Sequence, residues 1–420
     1  MKKSIRIHFM GIGGSGMSAA AQIAKAQGFE VSGCDLQGAT PYSHGLEVTK
    51  GHDVSHLKNV DILAVTPAVY FQSAQHPELV EGKAKGMVMT WQEFMGKYLH
   101  KDKFVICIAG THGKSTTTTM AGLVLEAAGL DPTVEVGATI PAWHSNVRIG
   151  KGKYFVTEAD EYHHNFLHYH SNIIILNNLE MDHPEYFKSD ENILGAFQQF
   201  IDQLKPNGTL IFNNDSPLIH RLKMPTSSIP YSVKEFPKNL KLGTPGEHNK
   251  ANAMGVLKLA QTLNIKQEIV YETLQKFTGI ARRLELIGER NGVKIYDDYA
   301  NHPTAFAANL EAIKSLYPQS KIWAIIEPHT FSRLRSVLNQ LPESLKLADE
   351  VIITKVFASR EKDPGDFSGA DIAKAANGQY IPEFKDVIET IKAEAAPGMV
   401  VLVMGSGDSY KLSQQILESL

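Results

Sequence analysis

Short apolar runs rich in β-branched residues alternate along the chain with longer stretches whose apolar residues recur at helical spacing. This alternation is typical of α/β domains, in which helices cover mostly parallel sheets. No fixed-period repeat interrupts it. The pattern predicts an α/β fold with strands at 5–10, 31–33, 62–65, 104–109, 154–158, 173–176, 209–212, 293–298, 322–326, 351–354 and 400–404, and helices at 251–263 and 305–316.

Two changes in this pattern divide the chain. Asp102 and Lys103 separate a first group of strands from the next apolar run, and the pattern changes again near Gly279. A chain of 420 residues is also too long for one ordinary core. We therefore predict three α/β domains, at residues 1–101, 102–280 and 281–420.

Composition narrows the classes of function. The chain is 43% hydrophobic and 21% charged with a formal net charge of −3, which is ordinary for a soluble protein and offers nucleic acid no basic surface. It has neither a bilayer-spanning apolar run nor a signal peptide, so we expect a cytoplasmic protein without membrane or nucleic-acid partners. Cys34 and Cys107 lie in strand-like runs, which predicts buried thiols and no disulfide.

The first glycine-rich turn follows the first strand. Residues 11–16 fit G-x-G-x-x-G, a helix is predicted next, and Asp35 ends the second strand. Such a turn lets backbone amides approach a diphosphate at a helix N-terminus. The motif alone fits a nicotinamide cofactor, a UDP-sugar or a purely structural turn.

A second glycine-rich turn lies in VICIAGTHGKSTTTT, residues 105–119. The strict P-loop pattern G-x-x-x-x-G-K-[ST] places a glycine at position 108, where this chain has Ile108, so we expect the strand to continue further before turning at Gly110. Gly113, Lys114 and Ser115 retain the parts that turn the backbone, reach terminal phosphates and bind Mg²⁺. The sequence therefore predicts a nucleotide-phosphate site here.

Candidate metal and phosphate ligands follow further strands. Glu158 ends one strand and His183 follows the next, at the edge where parallel sheets bind ligands. Mg²⁺ prefers oxygen ligands, so Glu158 suits it and His183 is an unusual choice. Arg282 and Arg283 either stabilise a transferring phosphoryl group or are merely solvated.

Eight motifs together resemble one family. In order they are GIGGSGMSA, GTHGKSTTTT, EADEYHHNFL, NNLEMDHPEYF, PGEHNKANA, RRLE, DDYANHPTA and PHTFSR. Over residues 5–410 they resemble the Mur ligases of peptidoglycan synthesis, in the short form of Gram-positive bacteria.

This resemblance implies a Rossmann-like first domain that binds UDP-N-acetylmuramate, a central P-loop domain that binds ATP with Mg²⁺, and a Rossmann-like third domain that binds L-alanine. It implies that the muramate carboxylate attacks the γ-phosphate of ATP, and that the amine of L-alanine then displaces phosphate from the acyl phosphate. Positioning and charge neutralisation would carry the first step. The resemblance also implies a monomer or weak homodimer.

Site residues are carried over from the matching motifs. Implied catalytic residues are Lys114, His183 and Arg283. Implied metal ligands are Ser115, Glu158 and His183. Implied ATP-binding residues are Gly110, Thr111, His112, Gly113, Lys114, Ser115, Thr116, Asn249, Asn252 and Asp298. Implied UDP-sugar-binding residues are Gly11, Gly13, Gly14, Ser15, Gly16, Met17, Ser18 and Asp35. Implied amino-acid-binding residues are Tyr299, Asn301 and Arg333.

Two departures from the family pattern concern recognition. Asn301 stands where relatives often have a histidine, so the side chain cannot accept a proton near neutral pH. His163 and His164 stand where relatives often have arginines.

Three alternatives remain open: a recycling ligase that attaches a tripeptide, a nicotinamide-dependent dehydrogenase, and a silent Mur-like partner subunit. The retained Lys114 and metal ligands argue against a silent subunit.

Overall fold

The computed structural model describes residues 4–67, 69–72, 74–184, 186–359 and 361–420. Within these ranges the chain forms three β-sheets with covering helices, which confirms the predicted α/β fold with three domains. The boundaries near residues 101 and 280 stay predictions. None of the described helices is both long and apolar enough to cross a membrane.

The first sheet consists of parallel strands β1 (Arg6–Met10), β2 (Glu30–Asp35), β3 (Thr49–Lys50), β4 (Ile62–Val65) and β5 (Val88–Thr90). Their order is β3-β2-β1-β4-β5, so the strand order reverses at β1, where doubly wound sheets bind ligands. The accompanying helices are α1 (Ser15–Ala26), α2 (Val69–Gln72), α3 (Pro77–Ala84) and α4 (Trp91–Phe94).

The second sheet consists of β6 (Phe104–Ala109), β7 (Thr133–Ile140), β8 (Ser145–Arg148), β9 (Tyr154–Glu158), β10 (Ile173–Leu176), β11 (Thr209–Asn213) and β12 (Ser228–Tyr231). Its order is β12-β11-β10-β6-β9-β7-β8, and only β8 runs antiparallel to its neighbour. The strands β9 and β10 therefore flank β6, so all three carboxyl ends lie side by side. The helices are α5 (Lys114–Ala127), α6 (Asp190–Asp202), α7 (Glu247–Thr262) and α8 (Gln267–Lys276).

The third sheet consists of β13 (Glu285–Arg290), β14 (Val293–Asp298), β15 (Ile322–Ile326), β16 (Glu350–Ile353), β17 (Gln379–Tyr380) and β18 (Val400–Met404). Its order is β13-β14-β18-β15-β16-β17, with β13 antiparallel at one edge. In β18 the side chains of Leu402 and Val403 enter separate apolar clusters on opposite faces, as alternation along a buried strand requires. The helices are α9 (Pro303–Leu316), α10 (Phe331–Val337), α11 (Leu341–Leu345), α12 (Gly369–Ala375), α13 (Phe384–Glu394) and α14 (Ser409–Ser419).

Backbone contacts divide the molecule into two compact units. The first contains the described residues up to Glu180 together with Asp190–Leu240 and Ala251–Gln275, and it includes the first two sheets. The second contains Met181–Ser189, Lys241–Lys250 and Lys276–Leu420, and it includes the third sheet. The predicted site residues are consequently distributed over both units.

Candidate active site

The glycine-rich turn between β1 and α1 borders a cavity of about 500 Å³. Ligand sites are typically concave and of this size. All but one of the predicted UDP-sugar-binding residues line this cavity: Gly11, Gly13, Gly14, Ser15, Gly16, Met17 and Asp35. The exception is Ser18, which is fully buried and whose hydroxyl donates to the carbonyl of Ser15 at 2.9 Å.

The Asp35 carboxylate supports this turn directly. It accepts hydrogen bonds from the amides of Gly13 at 3.1 Å and Gln37 at 3.0 Å. A Cβ atom on Gly13 would lie only 2.8 Å from Asp35 Oδ2, so the turn requires glycine at this position. The Asp35 carboxylate is therefore hydrogen-bonded to the backbone of the surrounding loops, and the ribose contact implied by the sequence stays a prediction.

The second glycine-rich turn joins β6 to α5. Ile108 lies inside β6, paired with Glu158 on one side and Ile175 on the other, as expected for a strand that continues to Ala109. Gly113 has φ +78° and precedes the first turn of α5. A Cβ atom there would also collide with Asn252 Oδ1, so both the backbone angle and the packing favour glycine.

Lys114 is held at the mouth of this turn by an acidic partner that the sequence analysis missed. Its Nζ donates to Glu161 Oε2 at 2.8 Å and to the Gly110 carbonyl at 2.6 Å. Burial alone lowers the pKa of Lys114, but the charges of Glu161, Asp160 and Glu158 outweigh it and raise the pKa. The side chain therefore keeps its positive charge beside the helix N-terminus.

Glu158 lies beside this charge at the end of β9. Its Oε1 accepts from the amide of Gly137 at 2.6 Å. Burial, and then the charge of Glu158, raise the pKa of the neighbouring Glu135 to about 8. At pH 7 Glu135 is therefore mostly protonated, and Thr157 donates to its Oε2 at 2.7 Å.

Residues that follow β10 brace the P-loop backbone. Asn178 Oδ1 accepts from the amide of His112 at 2.8 Å, and its Nδ2 donates to the His112 carbonyl at 3.2 Å. The Asn178 carbonyl also accepts from the amide of Thr111 at 3.1 Å. His112 Nε2 further contacts the carboxylate of Glu180. The loop conformation thus depends on a strand other than the one that precedes it.

The predicted ATP residues of α7 have different surroundings. Asn252 is buried in the first unit beside Gly113. Asn249 belongs to the second unit, where its Nδ2 donates to the Pro245 carbonyl at 2.6 Å. Ser115 and Thr116 are 7% and 8% exposed at the start of α5.

Within the second unit, Asp298 organises a turn. Its two carboxylate oxygens accept from the amides of Leu284 and Ala300, both at 2.6 Å. Arg282 donates to Asp297 at 3.2 Å, and burial raises the pKa of Asp297 to about 6 despite this partner. The implied ribose contact of Asp298 stays a prediction.

Two of the predicted recognition residues lie on the same turn. The guanidinium of Arg283 lies 5.2 Å from the ring centroid of Tyr299, which is 39% exposed. Asn301 Nδ2 donates to Ser406 Oγ at 3.2 Å. Arg283 thus stacks on an aromatic ring that solvent and ligands can reach.

Arg333 and His183 also lie together in the second unit. Arg333 Nε donates to Asp182 at 2.9 Å, and one terminal nitrogen lies 3.4 Å from His183 Nδ1. Arginine can only donate, so this contact makes His183 Nδ1 an acceptor and places the ring proton on Nε2. A metal role for His183 therefore requires the contact with Arg333 to open.

Sequence reasoning missed the residues that hold others in place. Glu161 lies within the EADEY motif, three residues after the predicted metal ligand Glu158, and the spacing alone did not show that it would pair with Lys114. Asn178 lies in NNLE directly after β10, and that position beside the P-loop strand was the available signal.

These features define a P-loop nucleotide-binding protein that also carries a Rossmann-like ligand domain. Family models match three successive parts of the chain: the Mur ligase family catalytic domain at residues 6–102, the Mur ligase middle domain at 108–241, and the Mur ligase glutamate ligase domain at 282–407. The chain belongs to the Mur ligase family.

Individual members of the family are similar to this chain over nearly its full length. The chain is 33% identical to a UDP-N-acetylmuramate–L-alanine ligase of Clostridium acetobutylicum, across 99% of this chain and 98% of that one. It is 36% identical to the ligase of the same name from Caldicellulosiruptor bescii, across 98% of both chains. A solved UDP-N-acetylmuramate–alanine ligase from Thermotoga maritima superposes with a TM-score of 0.81 at 25% identity, covering 99% and 98%.

Proposed function

We propose that this protein is an ATP-dependent ligase that joins L-alanine to UDP-N-acetylmuramate and releases ADP and phosphate. The observation that carries the proposal is the presence of two glycine-rich turns in one unit, each after the carboxyl end of a parallel strand. One turn borders the cavity at Gly13, and the other holds Lys114. A dehydrogenase with one dinucleotide would use only the first.

The chemistry explains why two sites are needed. A carboxylate is a poor electrophile, so the muramate carboxylate first attacks the γ-phosphate of ATP, forming an acyl phosphate and ADP. The amine of L-alanine then attacks the acyl carbon, phosphate leaves, and the amine loses a proton. Lys114 would stabilise the negative charge of the phosphoryl group during transfer, because its ammonium stays charged beside Glu161.

The donors at the P-loop fit Mg²⁺. Ser115 and Glu158 offer oxygen atoms, which Mg²⁺ prefers, at the start of α5 and the end of β9. Bound Mg²⁺ would neutralise phosphate charge there. In the second unit, Arg283, Tyr299, Asn301 and Arg333 remain the candidates for contacts with phosphate and the amino acid.

The proposal favours L-alanine over a tripeptide because the curated relatives matched over the full length are named alanine ligases. A phosphate-release assay with UDP-N-acetylmuramate, ATP and Mg²⁺ tests this directly. We expect rapid release with L-alanine, slow release with other amino acids, and none with the tripeptide. Faster release with the tripeptide would replace the proposal by the recycling activity.

The variant Lys114→Ala tests the role of the P-loop. We expect kcat to fall at least about 100-fold, as when a donor to a developing charge is removed. Lys151→Ala, which changes an exposed lysine of the same domain, should retain wild-type turnover. Near-normal turnover of a folded Lys114→Ala protein would remove Lys114 from the mechanism.

A further inference from the structure

A compact cluster of metal-ligating side chains lies in the first domain, and none of its four residues lines the cavity at the first glycine-rich turn. His8 comes from β1, Cys34 from β2, His56 from the turn after β3, and Glu78 from α3. Cys34 and the Glu78 side chain are fully buried, and the side chains of His8 and His56 are 3% and 16% exposed. A fully buried carboxylate is normally paired with other groups or coordinates a metal.

The separations match those of a small coordination sphere. His8 Nε2 lies 3.3 Å from both Cys34 Sγ and Glu78 Oε1. His56 Nδ1 lies 3.4 Å from Glu78 Oε1, and Cys34 Sγ lies 3.7 Å from the carboxylate. One ligand atom from each residue lies within 4.8 Å of all the others. A tetrahedral site with bonds of about 2.0–2.3 Å places its ligand atoms about 3.3–3.6 Å apart.

The surrounding hydrogen bonds also suit a metal. His8 Nδ1 contacts Ser32 Oγ at 2.8 Å, so the ring is oriented with Nε2 toward the cluster, as outer partners do for ligating histidines. The amide of Asp53 contacts both His56 Nδ1 at 3.3 Å and Glu78 Oε2 at 3.0 Å. If His56 Nδ1 turns to a metal, this amide keeps Glu78 as its acceptor.

The chemistry of the buried cluster also suits a cation. A divalent ion bound between these side chains would place positive charge next to the fully buried Glu78, and it would be bound by Cys34 as the thiolate, the common state of a cysteine ligand.

We propose that His8, Cys34, His56 and Glu78 form a structural zinc site. Imidazole and thiolate ligands select zinc over Mg²⁺, and four protein ligands close the site to substrate. The Cys34 carbonyl accepts from the amides of Gly11 at 2.8 Å and Ile12 at 3.1 Å. The metal therefore braces the strand end on which the first glycine-rich turn rests.

Cobalt titration of the chelator-treated full-length protein tests the site. In excess Mg²⁺ and without nucleotide, we expect one Co²⁺ per chain, with the visible absorption of tetrahedral cobalt and a near-ultraviolet thiolate-to-cobalt band. Cys34→Ala should abolish the thiolate band and weaken Co²⁺ binding at least about tenfold. Removing even a hydrogen-bond partner of a metal ligand typically lowers metal affinity by about that factor. Cys107→Ala, which changes the other buried cysteine, should keep both signals.

A second variant guards against a folding defect in Cys34→Ala. His56→Ala changes the most exposed of the four ligands, and it should weaken Co²⁺ binding while the thiolate band persists at saturation. Circular dichroism confirms folding of each variant, and Zn²⁺ should displace Co²⁺ from the wild type. Absence of a tetrahedral cobalt spectrum in the wild type, a thiolate band that survives in Cys34→Ala, or unchanged affinity in His56→Ala would each overturn the proposed ligand set.

Discussion

At the scale of single residues, His100 links stability to pH. Its ring lies 4.5 Å from that of Phe155 and 4.8 Å from that of Tyr169, and its nitrogens have no hydrogen-bond partner among the described residues. Burial, with a smaller contribution from Lys205, lowers the pKa of His100 to about 3. In the unfolded chain a histidine has a pKa of about 6.5. Between these values the unfolded chain binds a proton that the folded protein excludes.

The free energy of unfolding should therefore be unaffected by His100 above about pH 6.5, and it should fall as the pH drops from there toward 3. By pH 5 the loss amounts to about 2 kcal/mol. His100→Leu should remove this part of the pH dependence, as measured by urea unfolding at pH 7 and pH 5. His220→Leu, at an exposed histidine, should leave it unchanged. Equal pH dependence in His100→Leu and the wild type would contradict the lowered pKa.

Gly14 offers a cleaner test of the first turn than Gly13. A Cβ atom on Gly14 meets its nearest protein atom at 3.8 Å, whereas one on Gly13 would collide with Asp35. Gly14→Val should therefore fold normally but obstruct a diphosphate at the start of α1. We expect KM for UDP-N-acetylmuramate to rise at least about tenfold, an effect of about 1.4 kcal/mol, with little change in KM for ATP.

Gly195→Val is the matched control for Gly14→Val, since nothing lies within 4 Å of a Cβ at that position in α6. It should leave both KM values unchanged. An increase confined to KM for ATP in Gly14→Val would show that the first turn binds a different ligand.

At the scale of elements, the sequence predicted buried strands better than peripheral ones. Central strands such as β6 and β10 appear at the expected residues because both faces are buried and their apolar runs are continuous. The strands β7 and β8 were not predicted, because Thr133–Ile140 interleaves glycine, threonine and a buried glutamate. Burial of Glu135 depends on tertiary partners, which local pattern does not reveal.

The candidate site shows the same contrast between local pattern and tertiary partners. The placement of Lys114 and Ser115 at the start of a helix after a glycine turn could be predicted, because phosphate chemistry restricts the residues of such a turn. Their contacts with ATP and Mg²⁺ stay predictions. The support of this turn could not be predicted, since Glu161 and Asn178 reach the P-loop from β9 and β10, far away in sequence. Strand order decides which loops become neighbours, and it was not part of the prediction.

The support from β10 leads to a graded prediction for Asn178. Asn178→Ala removes two side-chain hydrogen bonds to the P-loop backbone at His112, each worth about 0.5–1.5 kcal/mol. We expect the free energy of ATP binding, measured by calorimetry, to become less favourable by about 1–3 kcal/mol, which raises the Kd about 5- to 150-fold. Asn178→Asp keeps the acceptor for the His112 amide and loses the donor, so its effect should be intermediate. Unaltered ATP affinity in Asn178→Ala would show that the loop holds its shape without this residue.

At the scale of the whole molecule, two kinds of donor set would serve two metals. Oxygen donors at Ser115 and Glu158 fit Mg²⁺ and belong to the proposed reaction, whereas the cluster at Cys34 fits zinc and belongs to the fold. Chelation followed by stepwise return of the metals should therefore separate turnover from stability.

After chelation, Mg²⁺ alone should restore ligase turnover, measured well below the unfolding temperature, because the reaction needs only the oxygen-ligated ion. The thermal midpoint should remain low until Zn²⁺ is added, and then rise by about 5–10 °C once free Zn²⁺ reaches about 100 times its Kd. Adding Zn²⁺ should change turnover little at the assay temperature. In Cys34→Ala, Mg²⁺ should still restore turnover, but Zn²⁺ should not raise the thermal midpoint. Cys107→Ala should show both responses. Full recovery of the midpoint with Mg²⁺ alone would contradict this division of roles, and so would turnover that depends on Zn²⁺.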